Sequence, residues 1–197
     1  MTSKLSGTTI AQLAYWRRTD VLVPEIKSSG RPLLYSFRDI YALRTFARLR
    51  QELPLQQIRR ALRTLQERGP FDHPADYKWF GDGDSIVLWR EGDNAMDAVK
   101  HPGQTLLATF EDVLSEFTNR AGQHVADLRR PAPFLEVEPA RLGGWPTIEG
   151  TRVPFDAVAD LVADGSVPVE DIGDYYPSVT PDAARSALRF AQGLEAA

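Results

Sequence analysis

The stretch Thr8 to Pro24, TTIAQLAYWRRTDVLVP, sets the terms for the rest of this chain. Ile10, Leu13 and Ala14 recur at helical spacing, which places them on one face and leaves Gln12, Arg17 and Arg18 free to point away. Pro24 stops the pattern. A helix with an apolar side and arginines opposite is either a solvated surface helix or one that meets phosphates. The distribution of charge bears on that choice. The net charge is −4, but residues 1–69 hold 13 Lys/Arg against 5 Asp/Glu, whereas residues 70–197 hold 10 against 22. A basic first third suits a polyanion, because each phosphate neutralised releases counterions. The acidic remainder would be repelled by DNA and suits protein contact.

Helices and turns then follow in a recognisable order. SSGRPLLYS supplies turn residues and a short apolar run suited to a hairpin or wing, with Arg31 at its tip. Ser36 and Asp39 form a capping box ahead of a helix with Ile40, Leu43, Phe46 and Ala47 inward. A further helix starts after Pro54, with Leu55, Ile58, Leu62 and Leu65 on one side and Arg59, Arg60 and Arg63 largely off it.

Helix, wing, helix, helix, carried by LAYWRRTDVLVP, GRPLLYSFRDIYALRTFARLR and LPLQQIRRAL, resembles the DNA-binding domain of MerR-type regulators over about residues 7–66. The resemblance implies a recognition helix from Thr8 to Thr19 in the major groove. It offers Thr8, Thr9, Gln12, Arg17, Arg18, Arg31 and Arg38 as the DNA-contacting residues. It also implies that Tyr15, Trp16 and Tyr35 hold wing and helix together. Three positions depart from the family. Only MTSKLSG precedes the recognition helix, so the first half of the helix-turn-helix is expected to be cut short or missing. Ala14 stands where an arginine is usual, and Asp20 replaces a helix-ending glycine, at a position that favours the left-handed conformation.

Residues 70–130 form a middle section. YKWF and SIVLWR, separated by GDGD, read as a β-hairpin; TLLA after Gly103 is a candidate third strand. Thr109 and Asp112 are expected to cap a helix running through Phe117, with Phe110, Val113 and Leu114 on its apolar side. GDGD lacks the later ligands of a calcium loop and reads as a turn. His73, His101 and His124 have no partner at ligand spacing, so they read as surface histidines, with no metal or cofactor site expected.

After the prolines of PAPFLEVEP, residues 131–197 read as a short strand, a Gly-Gly turn, a second strand at Thr147 to Glu149, and three helices. Val158, Leu161 and Val162 face inward on the first, which Gly165 ends; VEDIGDYYP is short; Thr180 and Pro181 start the last, with Ala184, Ala187, Leu188 and Ala191 inward. GGWPTIEGTRVPFDAVADLVADG followed by DYYPSVTPDAARSALRFA is similar to the domain-of-unknown-function 433 family over about residues 134–192. A MerR-like head joined to this tail resembles VapB-type antitoxins, which implies a PIN-like ribonuclease toxin from an adjacent gene and operator DNA as partners. Arg152, Tyr175, Tyr176, Arg185 and Arg189 are then the candidate partner-binding residues. Tyr175, Tyr176 and Trp145 would instead line an effector pocket if the chain is a ligand-sensing MerR regulator, and core packing is a third role for them.

The expected fold class is mainly α with a small β component: a winged helix-turn-helix head, a β-hairpin middle section and a three-helix C-terminal domain. Having no cysteine, the chain has no disulfide, thiolate metal site or cysteine nucleophile. No segment approaches the roughly 18 apolar residues of a membrane span, and the start lacks a secretory apolar region. These features point to a cytoplasmic home. Serines, aspartates and histidines are scattered without nucleophile–base pairing, so a non-enzyme is expected. A homodimer is expected too, since one recognition helix reads few bases.

Overall fold

The computed structural model describes residues 1–26, 34–68, 71, 73–82, 85–90, 96–100 and 113–195. It is mainly helical with three small antiparallel sheets. The head contains α1 (Thr2–Ser6), α2 (Ile10–Arg18), α3 (Phe37–Leu49) and α4 (Leu55–Arg68). The first helix is present but only five residues long. Such a helix cannot stand on its own hydrogen bonds. It is held by packing, with Leu5 and Ser6 buried.

Local chemistry sets the helix boundaries. Thr9 and Gln12 form a reciprocal capping box at the start of α2, and Ser36 and Asp39 form one at the start of α3. Asp20 follows α2 at φ 53°, the left-handed conformation that a helix-ending glycine would take at no steric cost. The buried side of α2 differs from the expected one. Leu13 and Trp16 face the core, while Ile10 is 65% exposed and Ala14 is also outside. Trp16 displaces them because its ring fits edge-on to Phe46 at 6.1 Å, and Phe46 in turn meets Trp79 at 5.1 Å. These three rings form the centre of the first core, which α3, α4 and the middle sheet close.

The middle sheet has the order β1 (Lys78–Asp82), β2 (Ser85–Trp89), β3 (Met96–Asp97). The hairpin is in the expected place, with Lys78 opposite Trp89 and Asp82 opposite Ser85. TLLA, His101 and the Thr109–Asp112 cap lie outside the described residues. The described part of the helix expected to run through Phe117 is not helical: Val113 to Ser115 form turns, and Phe117–Thr118 is β4, paired with β5 (His124–Val125). Phe117 is drawn into the strand by two guanidinium groups, Arg44 and Arg48, whose carbons lie 5.1 and 5.2 Å from its ring centre.

In the tail, β6 (Leu135–Glu136) and β7 (Thr147–Ile148) pair across the Gly-Gly turn, and α5 (Phe155–Ala163), α6 (Ile172–Tyr175) and α7 (Pro181–Glu195) complete it. Thr180 Oγ1 accepts the Ala183 amide, as an N-cap should. The second core combines Phe155, Val158, Ile172, Ala184, Ala187 and Phe190 with Leu5 of α1 and Ile40 of α3. Head and tail therefore share one apolar interior. Gly144, at φ 80°, sits against Phe37, where an added Cβ would lie 2.3 Å from the ring.

Candidate nucleic-acid interface

Gly7, at φ 73°, turns the chain from α1 into α2. A Cβ there would lie 2.7 Å from Val125, so glycine is required by both conformation and space. Beyond the turn, α2 presents Ala11, Gln12, Ala14, Tyr15, Arg17 and Arg18 to solvent. Arg18 lies over the Tyr15 ring at 5.6 Å and Arg59 of α4 over it at 5.4 Å, with Arg59 also donating to the phenol oxygen at 3.2 Å. Tyr15 thus brings together cations of two helices, Arg18 exposed and Arg59 half-buried. Burial raises the pKa of the nearby Tyr35 phenol, Arg17 opposing this and Asp39 adding to it.

The residues offered as DNA contacts divide into distinct roles. Thr8 is 2% exposed, and its hydroxyl shares a 2.5 Å hydrogen bond with Ser6. It serves the α1–α2 turn and faces inward, its hydroxyl held by that of Ser6. Thr9 accepts the Gln12 amide at 3.1 Å, and Gln12 Oε1 accepts the Thr9 amide at 2.8 Å, so both are exposed but share the cap. Arg17 and Arg18 are outside. Arg31 lies outside the described residues. Arg38 is half-exposed and paired with Glu25 at 3.3 Å and Asp76 at 2.6 Å.

Asp39 is fully buried. One of its oxygens accepts the amides of Ser36 at 2.8 Å and Glu25 at 3.3 Å, both in the segment joining α2 to α3. The other lies 3.2 Å from His73 Nε2. Because His73 Nδ1 accepts the Ala75 amide at 3.1 Å, the ring proton sits on Nε2 and is donated to Asp39. His73 is therefore a buried structural residue, which corrects the surface assignment: a carboxylate out of water needs donors, and this ring supplies one. His124 is exposed, 3.6 Å from Glu116.

Arg44, also fully buried, spreads its guanidinium over the carbonyls of Leu5 at 2.8 Å, Val113 at 2.9 Å, Leu114 at 3.1 Å, Ser115 at 2.8 Å and Ala126 at 2.5 Å. It binds α1 to α3 and to the middle section. Nothing in the local spacing of FRDIYALRTF marks this arginine as internal; only the long-range packing does.

The tail residues offered as partner contacts do not share one role either. Arg152, Tyr175 and Arg189 are exposed, Tyr175 at 59%. Tyr176 is half-buried against the second core. Arg185 is matched by Glu170 at 2.5 Å and Asp182 at 2.9 Å. Trp145 stacks on Phe155 at 6.2 Å and donates to Asp156 at 3.3 Å. No helix among the described residues is long and apolar enough to cross a membrane.

Residues 1–65 match the MerR helix-turn-helix family of regulatory proteins, and residues 135–191 match the protein family of unknown function DUF433. Rv1830 of Mycobacterium tuberculosis and Mb1861 of Mycobacterium bovis, both described as uncharacterized HTH-type transcriptional regulators, are 36% identical over 101 residues. That alignment takes in 49% of this chain and 44% of each relative, so the chain spans under half the length of these curated relatives. The crystal structure of Rv2018 from Mycobacterium tuberculosis is similar in fold, with a TM-score of 0.52 at 19% identity, covering 95% of this chain and 94% of that one. Residues 1–65 are accordingly a MerR-type helix-turn-helix domain and residues 135–191 a DUF433 domain.

Proposed function

We propose that this chain is a DNA-binding antitoxin: it reads its own promoter through α2 and holds a PIN-like ribonuclease toxin through its DUF433 domain. The supporting observation is the separation of charge along the fold. Arg17 and Arg18 are exposed, and Arg18 and the half-buried Arg59 lie over the Tyr15 ring, in a head that carries 13 Lys/Arg against 5 Asp/Glu. The tail, residues 131–197, carries 4 Lys/Arg against 11 Asp/Glu. A ribonuclease needs a basic surface for RNA, and an acidic domain complementary to it gains association rate and selectivity. In this reading Arg17 and Arg18 contact phosphate, with Thr9 and Gln12 at the groove and Arg31 reaching the backbone. Arg38 serves the base of the α2–α3 segment. Tyr175, Arg152 and Arg189 offer exposed groups to the toxin, and Tyr176 and Arg185 support that surface from within. The protein works in the cytoplasm as a homodimer and catalyses nothing.

The test is co-expression with the product of the neighbouring gene, with an affinity tag on this chain alone. A stable complex on a sizing column, with an association rate that falls as salt rises, is the expected result. If no such neighbour is encoded, or it elutes separately, the antitoxin reading fails, and binding of promoter DNA by the chain alone would leave a transcription regulator of another kind.

A further inference from the structure

The β4–β5 hairpin lies outside the segment matched to the MerR family, yet its tip is fixed against the start of α2. Asn119 Nδ2 donates to the Gly7 carbonyl at 3.0 Å, and Asn119 Oδ1 accepts the amides of Ala121 at 3.0 Å and Gln123 at 2.9 Å. Gly122, at φ 78°, closes the turn. Gln51 of the α3–α4 connection donates to the Thr118 carbonyl. The tip is thus ordered internally and tied on both sides.

This arrangement places Arg120, which is exposed, on a recess of about 40 Å³ that it shares with Thr9, Gln12 and Arg50. Arg50, next after α3, donates to the Leu53 carbonyl at 2.8 Å. Among the described residues, neither Arg50 nor Arg120 has a carboxylate partner. Two like charges beside one recess disfavour each other, and burial together with Arg120 holds the Arg50 guanidinium below its ordinary pKa. The chain has 27 acidic residues against 23 basic ones, so matching carboxylates were available, and among the described residues none lines the recess. An anion from outside would relieve the repulsion, and the adjoining first turn of α2 favours negative charge as well.

We propose that the β4–β5 hairpin is a second DNA-contacting arm, with Arg120 and Arg50 closing on a backbone phosphate beside the groove that α2 enters. This rests on the DNA-binding part of the reading above. An arm at the start of α2 would flank the recognition helix on the side where helix-turn-helix proteins bring their first residues to the base edges. It also gives the middle section a function that its sequence does not announce.

The experiment is a titration, at several salt concentrations, of a labelled duplex from upstream of the protein's own coding sequence. The parent chain is compared with Arg120→Ala, with the Arg17→Ala/Arg18→Ala double variant, and with Arg130→Ala as a control. For Arg120→Ala we expect weaker binding and a salt slope shallower by about 0.9, the loss of one phosphate contact. Its melting temperature should equal or slightly exceed that of the parent, since a repulsion is removed and no bond is lost. A parental slope and affinity in Arg120→Ala, with both reduced in the double variant, would overturn the arm while leaving DNA binding by α2 intact. A parent chain with no salt-dependent duplex affinity would overturn both. If Arg120→Ala weakened only capture of the neighbouring gene product, the recess would serve a protein carboxylate and the arm would again be refuted.

Discussion

His73 and Asp39 meet at 3.2 Å in a place where their side chains are 7% and 0% exposed. The contact joins the middle section to a carboxylate that also holds two points of the α2–α3 segment, the Glu25 and Ser36 amides. Replacing His73 by Phe keeps the ring and removes the donor. The carboxylate, still buried, would lose one of its three partners, at a cost of about 1–3 kcal/mol. Urea unfolding midpoints should fall accordingly, and amide exchange at Glu25 and Ser36 should quicken. Unchanged exchange at those two amides would mean that the carboxylate does not depend on the ring.

Arg44 is expected to be the least replaceable charge in the head. Lysine keeps the charge, but its three donors cannot span carbonyls from Leu5, Val113, Leu114, Ser115 and Ala126 at once. Arg44→Lys should cost about 2 kcal/mol and Arg44→Ala at least about 3 kcal/mol, each leaving buried acceptors unpaired. Thermal unfolding would measure the loss. A melting temperature for Arg44→Lys equal to that of the parent would contradict the geometry.

Gly144 and Gly150 separate two effects of the same substitution. Both have positive φ, 80° and 74°, but a Cβ on Gly144 would strike the Phe37 ring, whereas one on Gly150 meets open space. Gly150→Ala should show only the conformational penalty, about 1 kcal/mol. Gly144→Ala adds an overpacking penalty of about 1–3 kcal/mol. Shortening the ring in Gly144→Ala/Phe37→Leu should recover part of the excess, a comparison readable from chemical denaturation of the four proteins.

Thr8→Val should leave duplex affinity within about twofold of the parent and lower stability by about 1 kcal/mol, because the hydroxyl bonds inward to Ser6. Anisotropy titration and thermal melting on one sample separate the two quantities. A large loss of affinity with unchanged melting would put Thr8 back among the groove contacts.

Acid should loosen the tail. Burial alone would raise the Glu136 carboxyl, but the Gly150 amide and the Arg141 guanidinium outweigh it and hold the pKa below its ordinary 4.5. A carboxyl whose pKa is depressed by folding contributes stability at pH values above its unfolded pKa and loses it as pH falls through the folded one. Stability measured from pH 6 downward should therefore decline once the pH passes below about 4.5. Glu136→Gln should be less stable at pH 6 and show a flatter decline.

The parts of this fold legible in the sequence are those settled within one turn or one hairpin. The Ser36–Asp39 box, the left-handed Asp20, the Thr180 cap and the β6–β7 pair each depend on neighbours a few residues away. The parts not legible there depend on distant residues. Trp16 takes the core position on α2 because Phe46 is there to receive it. Phe117 leaves its expected helix for a strand beneath Arg44 and Arg48. His73 looks like a turn histidine until Asp39 is placed beside it. The site follows the same rule: Arg17 and Arg18 are readable as an exposed pair, but Arg120 comes to α2 through long-range bonds such as Asn119–Gly7, across more than a hundred residues of chain.

The five-residue α1 has its carbonyl at Leu5 bound by Arg44 and its side chain of Leu5 buried among tail residues. The helix-turn-helix thus borrows its first half from the rest of the molecule, and what sequence comparison sees as a module is not a unit of stability. Expressed without the tail, residues 1–69 should yield a frayed start and an unanchored recognition helix. A protease that clipped the DUF433 domain should therefore also unsettle the α1–α2 pair, because Leu5 would lose the apolar neighbours that bury it.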